Sequence, residues 1–343
     1  MKAMVLRGAN TPFELVTVPD PVPGPGEAVA RVITCGSGLT IQHAKAGRRK
    51  IEFPRIIGHE ITGEIVDVGA GVSGLKAGDG VTAYFYLNCG HCRFCLANLE
   101  PLCEHSGGNV GLECDGGYAE YMKLPAHIFI KYPEALDYKK HPAEMGVITD
   151  ALATPYKVLR RARVKGGETV AVFGAGGGLG IHQLMMAKWA NARVIAVDTA
   201  ADKFDACRKA GADEVVNPRD GDVVAMLRDL TNGAGVDVAV DYVCTRETLE
   251  AGAGAIGPRG RLVILGGAAQ PFQVSARDML AKEQAILGSR YVTRLEILET
   301  CDLVARGKVW PLVSVVRPLA EAEAVHDLVE RGKVTGRAAL RIA

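Results

Sequence analysis

The chain has 343 residues, more than one ordinary domain holds and about right for two. Hydrophobic residues make up 48% and charged residues 23%, enough apolar material for a full core, and the net charge of +1 speaks against nucleic acid or an anionic membrane surface as a partner. No apolar run approaches the ~20 residues that span a bilayer, and the first ten residues lack the apolar core of a signal peptide, so the expected location is the cytoplasm.

In chain order, roughly the first 150 residues read as short β segments broken by Gly and Pro, the spacing of a compact all-β unit. Residues 28–34, 63–68 and 80–83 are the clearest strands, separated by turn clusters at 21–26 and 74–80. Nine cysteines are present, and four of them, Cys89, Cys92, Cys95 and Cys103, crowd into one lobe, residues 88–104. In a cytosolic chain that cluster reads as a metal site rather than a disulfide framework. The spacing Cys-x2-Cys-x2-Cys-x7-Cys suits a closed tetrahedral zinc, which stabilises a fold and has no open position for chemistry. Four cysteines also hold iron–sulfur clusters, and zinc ribbons bind nucleic acid, but a neutral chain fits those readings less well.

The pattern changes near Asp150. Residues 151–162 are expected to be helical, and a strand–helix alternation follows. Strands are expected at 169–173, 193–197, 214–216, 236–241, 261–265 and 285–287, with helices at 179–190, 203–210, 223–231 and 247–253. Continuous apolar strands separated by helices imply a parallel sheet covered on both faces. After about Tyr291 the alternation stops. Helices are expected at 295–306 and 322–331, and residues 338–342 read as a strand that returns to the first domain.

Residues 173–180 read Phe-Gly-Ala-Gly-Gly-Gly-Leu-Gly, between the first of these strands and a helix. Glycines there let the backbone approach a pyrophosphate, and the helix N-terminus offers N–H donors. Gly174, Gly177, Gly178, Leu179 and Gly180 are therefore the expected phosphate turn. Asp198 closes the second strand, where a carboxylate bonds the adenosine ribose and repels a 2′-phosphate, so NAD is favoured over NADP.

Residues 58–69 read Gly-His-Glu-Ile-Thr-Gly-Glu-Ile-Val-Asp-Val-Gly. Together with the cysteine lobe, Asp-Gly-Gly-Tyr-Ala-Glu-Tyr at 115–121 and Gly-Ala-Gly-Val-Asp at 233–237, they make the chain resemble the zinc-containing alcohol dehydrogenases of the medium-chain dehydrogenase/reductase superfamily over nearly its whole length. The resemblance implies a GroES-like β-rich catalytic domain at 1–151, a doubly wound Rossmann domain at 152–291 and a return segment at 292–343, with a homodimer or homotetramer as the assembly. It further implies that Lys203 reaches the adenosine ribose, that Gly266 approaches the nicotinamide side, and that Phe85 lines the substrate pocket.

In that family a catalytic zinc polarises the alcohol oxygen while hydride passes to the nicotinamide. By resemblance its ligands here are His59 and Asp150, with Glu60 as the neighbouring acid. The first ligand breaks the pattern. The family reads Cys-Gly-x-Cys-His-Thr-Asp-x-x-His, and this chain reads Cys35-Gly36-Ser37-Gly38-Leu39-Thr40-Ile41-Gln42-His43. Gly38 stands where the ligand cysteine belongs, and Ile41 where an aspartate orients the site. Cys35 lies an odd number of residues away, on the opposite face of an extended chain. Two readings follow, a zinc on His59, Glu60 and Asp150, or no active-site metal. Thr40 and His43 match the family's proton relay.

The expected function is thus NAD-dependent hydride transfer between a small-molecule alcohol and its carbonyl. A zinc-free reductase of an activated C=C or C=N bond is the alternative, and a non-catalytic cofactor-binding protein is a third reading from another class.

Overall fold

A computed structural model describes residues 1–266 and 270–342. The chain divides into two compact units, Met1–Ala153 with Val292–Ala343, and Thr154–Tyr291.

The first unit is built on sheets. Strands β1 (Lys2–Leu6), β2 (Phe13–Thr17) and β4 (Arg55–Ile56) form a three-stranded sheet in the order β2-β1-β4. The larger sheet holds β3 (Glu27–Ser37), β5 (Glu60–Val68), β6 (Gly80–Ala83), β7 (Tyr121–Pro125) and β8 (Phe129–Lys131). Its central strand β3 is flanked by β5 on one side and, on the other, by β7 along its first half and a strand from the chain's end along its second. Both faces of these strands are covered over much of their length, since Ala28, Val29 and Ala30 of β3 and residues 60–63 of β5 are buried in succession.

The second unit is a single parallel sheet. Its strands are β9 (Thr169–Phe173), β10 (Arg193–Val197), β11 (Glu214–Val216), β12 (Val236–Asp241), β13 (Ile256–Ile264) and β14 (Ala285–Gly288). Their order is β11-β10-β9-β12-β13-β14, the doubly wound arrangement expected from the sequence. Ala171, Phe173, Ile195, Val197, Leu227, Ala239 and Leu262 form its core, each nearly or fully buried. Burying each of the larger ones contributes about 1.5–3 kcal/mol. The helix Gly178–Trp189 is apolar on most of its circumference and buries Ile181, Leu184, Met186 and Ala187.

The chain then returns to the first unit. The helix Arg294–Ala305 opens with a capping box between Thr293 and Glu296. Strand β15 (Val313–Pro318) pairs in parallel with β16 (Arg337–Arg341), and β16 pairs antiparallel with β3.

Three features depart from the sequence reading. The first 150 residues are not all-β, since Leu39–Lys45 is a helix that buries Ile41, Gln42 and Ala44 at helical spacing. Strand β15 went unread because its alternation of half-buried and exposed residues is weak. The helix expected from 151 is preceded by a π-helical turn, Ile148–Leu152.

Candidate functional site

The glycine turn lies at the C-terminal end of β9, beside the point where strand order reverses between β9 and β12. Ligands of open α/β sheets bind at such switch points. Gly174 has φ +73°, and its N–H bonds the Val197 carbonyl at 2.9 Å. A Cβ on Gly180 would lie 2.1 Å from the Gly174 carbonyl oxygen, so a side chain there would force helix and turn apart. Gly177 precedes the helix in extended conformation with no side-chain cap, leaving the helix's first N–H groups for a ligand.

Asp198 sits immediately after β10. One carboxylate oxygen accepts the Gly176 N–H at 2.7 Å and the other the Ala200 N–H at 2.8 Å, so the acid is locked to the rim of the turn. Lys203 is buried, and its aliphatic stem packs over Gly176, where a Cβ would meet Lys203 Cδ at 2.7 Å. Gly174, Gly177, Gly178, Gly180, Asp198 and Lys203 are thereby brought together. A glycine cradle, a helix N-terminus and a fixed carboxylate fit a dinucleotide. Gly266 packs elsewhere, on the loop after β12, where a Cβ would meet Cys244 Sγ at 2.6 Å and the Tyr242 carbonyl at 2.8 Å.

The four cysteines of the lobe converge. Their sulfurs all lie within 4.8 Å of one another, with Cys92–Cys95 at 3.5 Å and Cys89–Cys95 and Cys92–Cys103 at 3.9 Å. A tetrahedral zinc with bonds of about 2.3 Å separates its sulfurs by about 3.8 Å. Backbone N–H groups support the sulfurs, from Cys89 to Cys103 Sγ at 3.3 Å and from Cys92 to Cys89 Sγ at 3.4 Å. The donor set fits zinc.

The third cluster centres on His59 and Glu60 at the start of β5. His59 is buried against Phe85, ring centroids 4.5 Å apart, and its Nε2 lies 3.4 Å from Asp150 Oδ2. Its Nδ1 and the Glu60 Oε2 are buried without a hydrogen-bond partner. Asp150 projects from the π-helical turn, a local irregularity that aims a side chain. Glu60 Oε1 accepts from the Ala151 N–H at 3.2 Å.

Arg337, a residue the sequence reading passed over, completes the cluster. It is buried, its Nε donates to Glu60 Oε1 at 3.2 Å, and a terminal nitrogen donates to Asp150 Oδ2 at 3.2 Å. Burial raises the Glu60 pKa, Arg337 lowers it and the Asp150 charge raises it. Gly38 adjoins the same guanidinium, and a Cβ at position 38 would lie 2.7 Å from one of its nitrogens. A second zinc does not fit this arrangement. Gly38 offers no ligand, Arg337 is bonded to both carboxylates, and among the described residues no set of three His, Cys, Asp or Glu outside the cysteine lobe brings its donor atoms within that same spacing. Two buried acids without a sequence-adjacent cation were the one available signal that a basic residue had to arrive from elsewhere.

Thr40 and His43 share one face of the helix Leu39–Lys45, three residues apart. The bond found at His43 is to Arg48, whose Nε donates to Nδ1 at 2.7 Å while its two terminal nitrogens hold Glu330 at 2.6 Å each. Partial burial and then the Arg48 charge lower the His43 pKa, with Glu330 opposing. Beneath this surface runs a buried chain. Ser37 meets the Tyr118 hydroxyl, which donates to His326 Nε2 at 2.9 Å, and His326 Nδ1 donates to Gln42 Oε1 at 2.5 Å.

Comparison with known proteins gives a consistent result. Residues 24–134 match the family profile described as the alcohol dehydrogenase GroES-like domain, and residues 178–306 that of the zinc-binding dehydrogenases. An alcohol dehydrogenase of Geobacillus stearothermophilus is 34% identical over 345 residues, covering 100% of this chain and 99% of the relative. An NAD-dependent alcohol dehydrogenase of Sulfurisphaera tokodaii is 30% identical over 350 residues, covering 99% of each. The crystal structure of the alcohol dehydrogenase from the archaeon Aeropyrum pernix superposes with a TM-score of 0.91 at 32% identity, covering 100% of both chains.

Proposed function

Because the chain belongs to the zinc-containing alcohol dehydrogenase family of the medium-chain dehydrogenases/reductases, we propose that it is an NAD-dependent oxidoreductase that moves hydride between the nicotinamide and a small alcohol or its carbonyl partner. The observation that carries this reading is the glycine cradle with Asp198 locked on its rim. The bound dinucleotide supplies or accepts the hydride. Residues 174–180 seat its pyrophosphate on the helix N-terminus. Asp198 takes the adenosine ribose hydroxyls and disfavours a 2′-phosphate, so NAD is preferred over NADP. Lys203 flanks that carboxylate and assists the ribose end.

In the first unit, His59, Asp150 and Phe85 form the substrate side, and Phe85 presents an apolar wall beside the His59 imidazole. Thr40 and His43 carry the proton from the alcohol oxygen toward solvent. Cys89, Cys92, Cys95 and Cys103 hold one structural zinc, which would tie the lobe together without entering the reaction. The remaining elements of the reading are a cytoplasmic protein and a homodimer or homotetramer. Among the described residues no helix is long and apolar enough to cross a membrane.

A second reading, reduction of a C=C or C=N bond conjugated to a carbonyl, is favoured by Gly38 and the guanidinium beside it. Such an acceptor is already polarised and asks less of a Lewis acid. One assay separates the two. NADH consumption is followed with aldehydes and ketones, with α,β-unsaturated carbonyls and with cyclic imines, and NAD reduction with primary and secondary alcohols. Turnover of a carbonyl–alcohol pair supports the first reading, and turnover confined to the conjugated substrates supports the second. NADH binding without turnover of any of them overturns both.

A further inference from the structure

We infer that Arg48 is a positioning residue of the proton relay: it holds the His43 imidazole neutral, with its proton on Nε2, and has to leave Nδ1 before the ring takes up another. That His43 belongs to a relay rests on the function proposed above, whereas the clamp on its ring stands on geometry.

A short chain reversal brings Arg48 to His43. The helix Leu39–Lys45 ends, Gly47 turns the backbone at φ +69°, and the Arg49 N–H bonds the His43 carbonyl at 3.0 Å. Arg48 Nε then donates to His43 Nδ1 at 2.7 Å. A guanidinium has donors and no acceptor, so Nδ1 must offer a lone pair, and the proton of the neutral ring sits on Nε2. A proton on Nδ1 would set two donors against each other.

Arg48 is itself fixed, by a line of hydrogen bonds rooted in the interior. Glu330 accepts from both terminal nitrogens at 2.6 Å each, a bidentate pair. Glu330 Oε2 also accepts from Gln42 Nε2 at 2.7 Å, and Gln42 Oε1 accepts from His326 Nδ1. His326 is free to give that proton because its Nε2 accepts from the Tyr118 hydroxyl. Gln42 is 4% exposed and His326 1%, so the clamp on His43 is held from the core.

Charge supports the geometry. Burial and then Arg48 lower the His43 pKa, and Glu330 raises it. The neighbouring charges are engaged with one another: Lys45 with Glu323 at 2.7 Å, Asp327 with Arg331 at 3.3 Å, and Arg49 with Asn109 at 2.8 Å and Glu113 at 3.4 Å. In alcohol oxidation one O–H bond breaks on the relay side and one N–H bond forms at Nδ1, the ring nitrogen with the lone pair. Arg48 turns aside for that step and keeps its own protons. The imidazolium then passes one proton to water, and the guanidinium closes again on the neutral ring.

The test reads the ring directly and needs no substrate. Ring-15N spectra of the full chain carrying labelled histidine are followed across the neutral pH range, with His43→Gln identifying the signal. In the parent, neutral His43 is expected in the Nε2–H form alone. In Arg48→Met both neutral forms are expected, with the titration midpoint higher by about one pH unit, because a positive neighbour is gone and Glu330 is left unpaired. Mixed tautomers in the parent, or a midpoint that stays in place in Arg48→Met, would overturn the inference. In turnover, the acid limb of kcat/KM for alcohol oxidation is expected to rise with the midpoint, which a merely structural Arg48 would not cause. A limb that stays while the midpoint moves would overturn Arg48's part in the relay. Absence of any alcohol turnover would instead count against the proposed function, and the ring spectra would still judge the clamp.

Discussion

Asp198 accepts two backbone N–H groups at the rim of the turn, so its carboxylate has a structural role beside the selective one proposed for it. Asp198→Gly is expected to raise the preference for NADP relative to NAD by tenfold or more, about 1.4 kcal/mol per tenfold, as read from kcat/KM with each cofactor. An unchanged ratio would remove Asp198 from the ribose site. In the first unit a methyl group is enough for a test. Gly38→Ala would push into the Arg337 guanidinium and disturb its bonds to Glu60 and Asp150, with an expected loss of about 1–3 kcal/mol in denaturant unfolding. A neutral effect would mean that the guanidinium moves aside at little cost. Asp198 was readable in the sequence because strand, turn, helix and acid follow one another along the chain. Arg337 was not, because nothing near it in sequence signals a partner at Gly38.

At the scale of elements, the helix Gly178–Trp189 meets its turn at Gly180 with no room for a side chain. Gly180→Val is expected to lower stability by about 2 kcal/mol or more and to weaken NADH binding, measured by fluorescence titration, because the obstacle is a backbone carbonyl that cannot rotate away. The cysteine lobe would depend on the zinc proposed for it in a different way. Its leucines face solvent, with Leu96 at 73% and Leu102 at 45% exposure, so apolar burial contributes little. Removing zinc with a strong chelator is expected to open residues 88–104 to proteolysis and hydrogen exchange while the parallel sheet stays protected, since binding energy at a structural zinc is folding energy. The element reading succeeded where apolar runs were long, as in β9, β10 and β12. It missed the helix Leu39–Lys45, which is short and inserted among strands, and β15, whose pattern is faint.

At the scale of the molecule, the end of the chain closes the first unit over its beginning. His326 lies in the last helix, Ala322–Glu330, yet hydrogen-bonds Gln42 and Tyr118 and packs edge-on against Phe13, ring centroids 4.9 Å apart. Burial, helped by the Lys45 charge, pushes its pKa down to about 3. The folded chain therefore keeps His326 neutral, while the unfolded chain takes up a proton near the ordinary value of about 6.5. Stability contributed by the neutral imidazole is complete above pH of about 6.5 and falls by up to ~1.4 kcal/mol per pH unit on acidification toward 3. His326→Gln should flatten the dependence of unfolding free energy on pH across that window by up to one proton, and an unchanged slope would place the titration elsewhere.

The sequence by itself determined the parallel sheet, the glycine turn with its acid, and the four-cysteine lobe, because each is written in short-range spacing: apolar runs set strands, glycines set the turn, and ligands a few residues apart meet without help from the rest of the chain. It also exposed the gap at Gly38. What fills that gap was decided by tertiary structure alone. The pairing of β16 with β3 brings Arg337 from the far end of the chain to Gly38, and the burial of Glu60 and Asp150 makes its charge indispensable there. Strand register and buried charge balance are properties of the folded whole, and no local pattern encodes them.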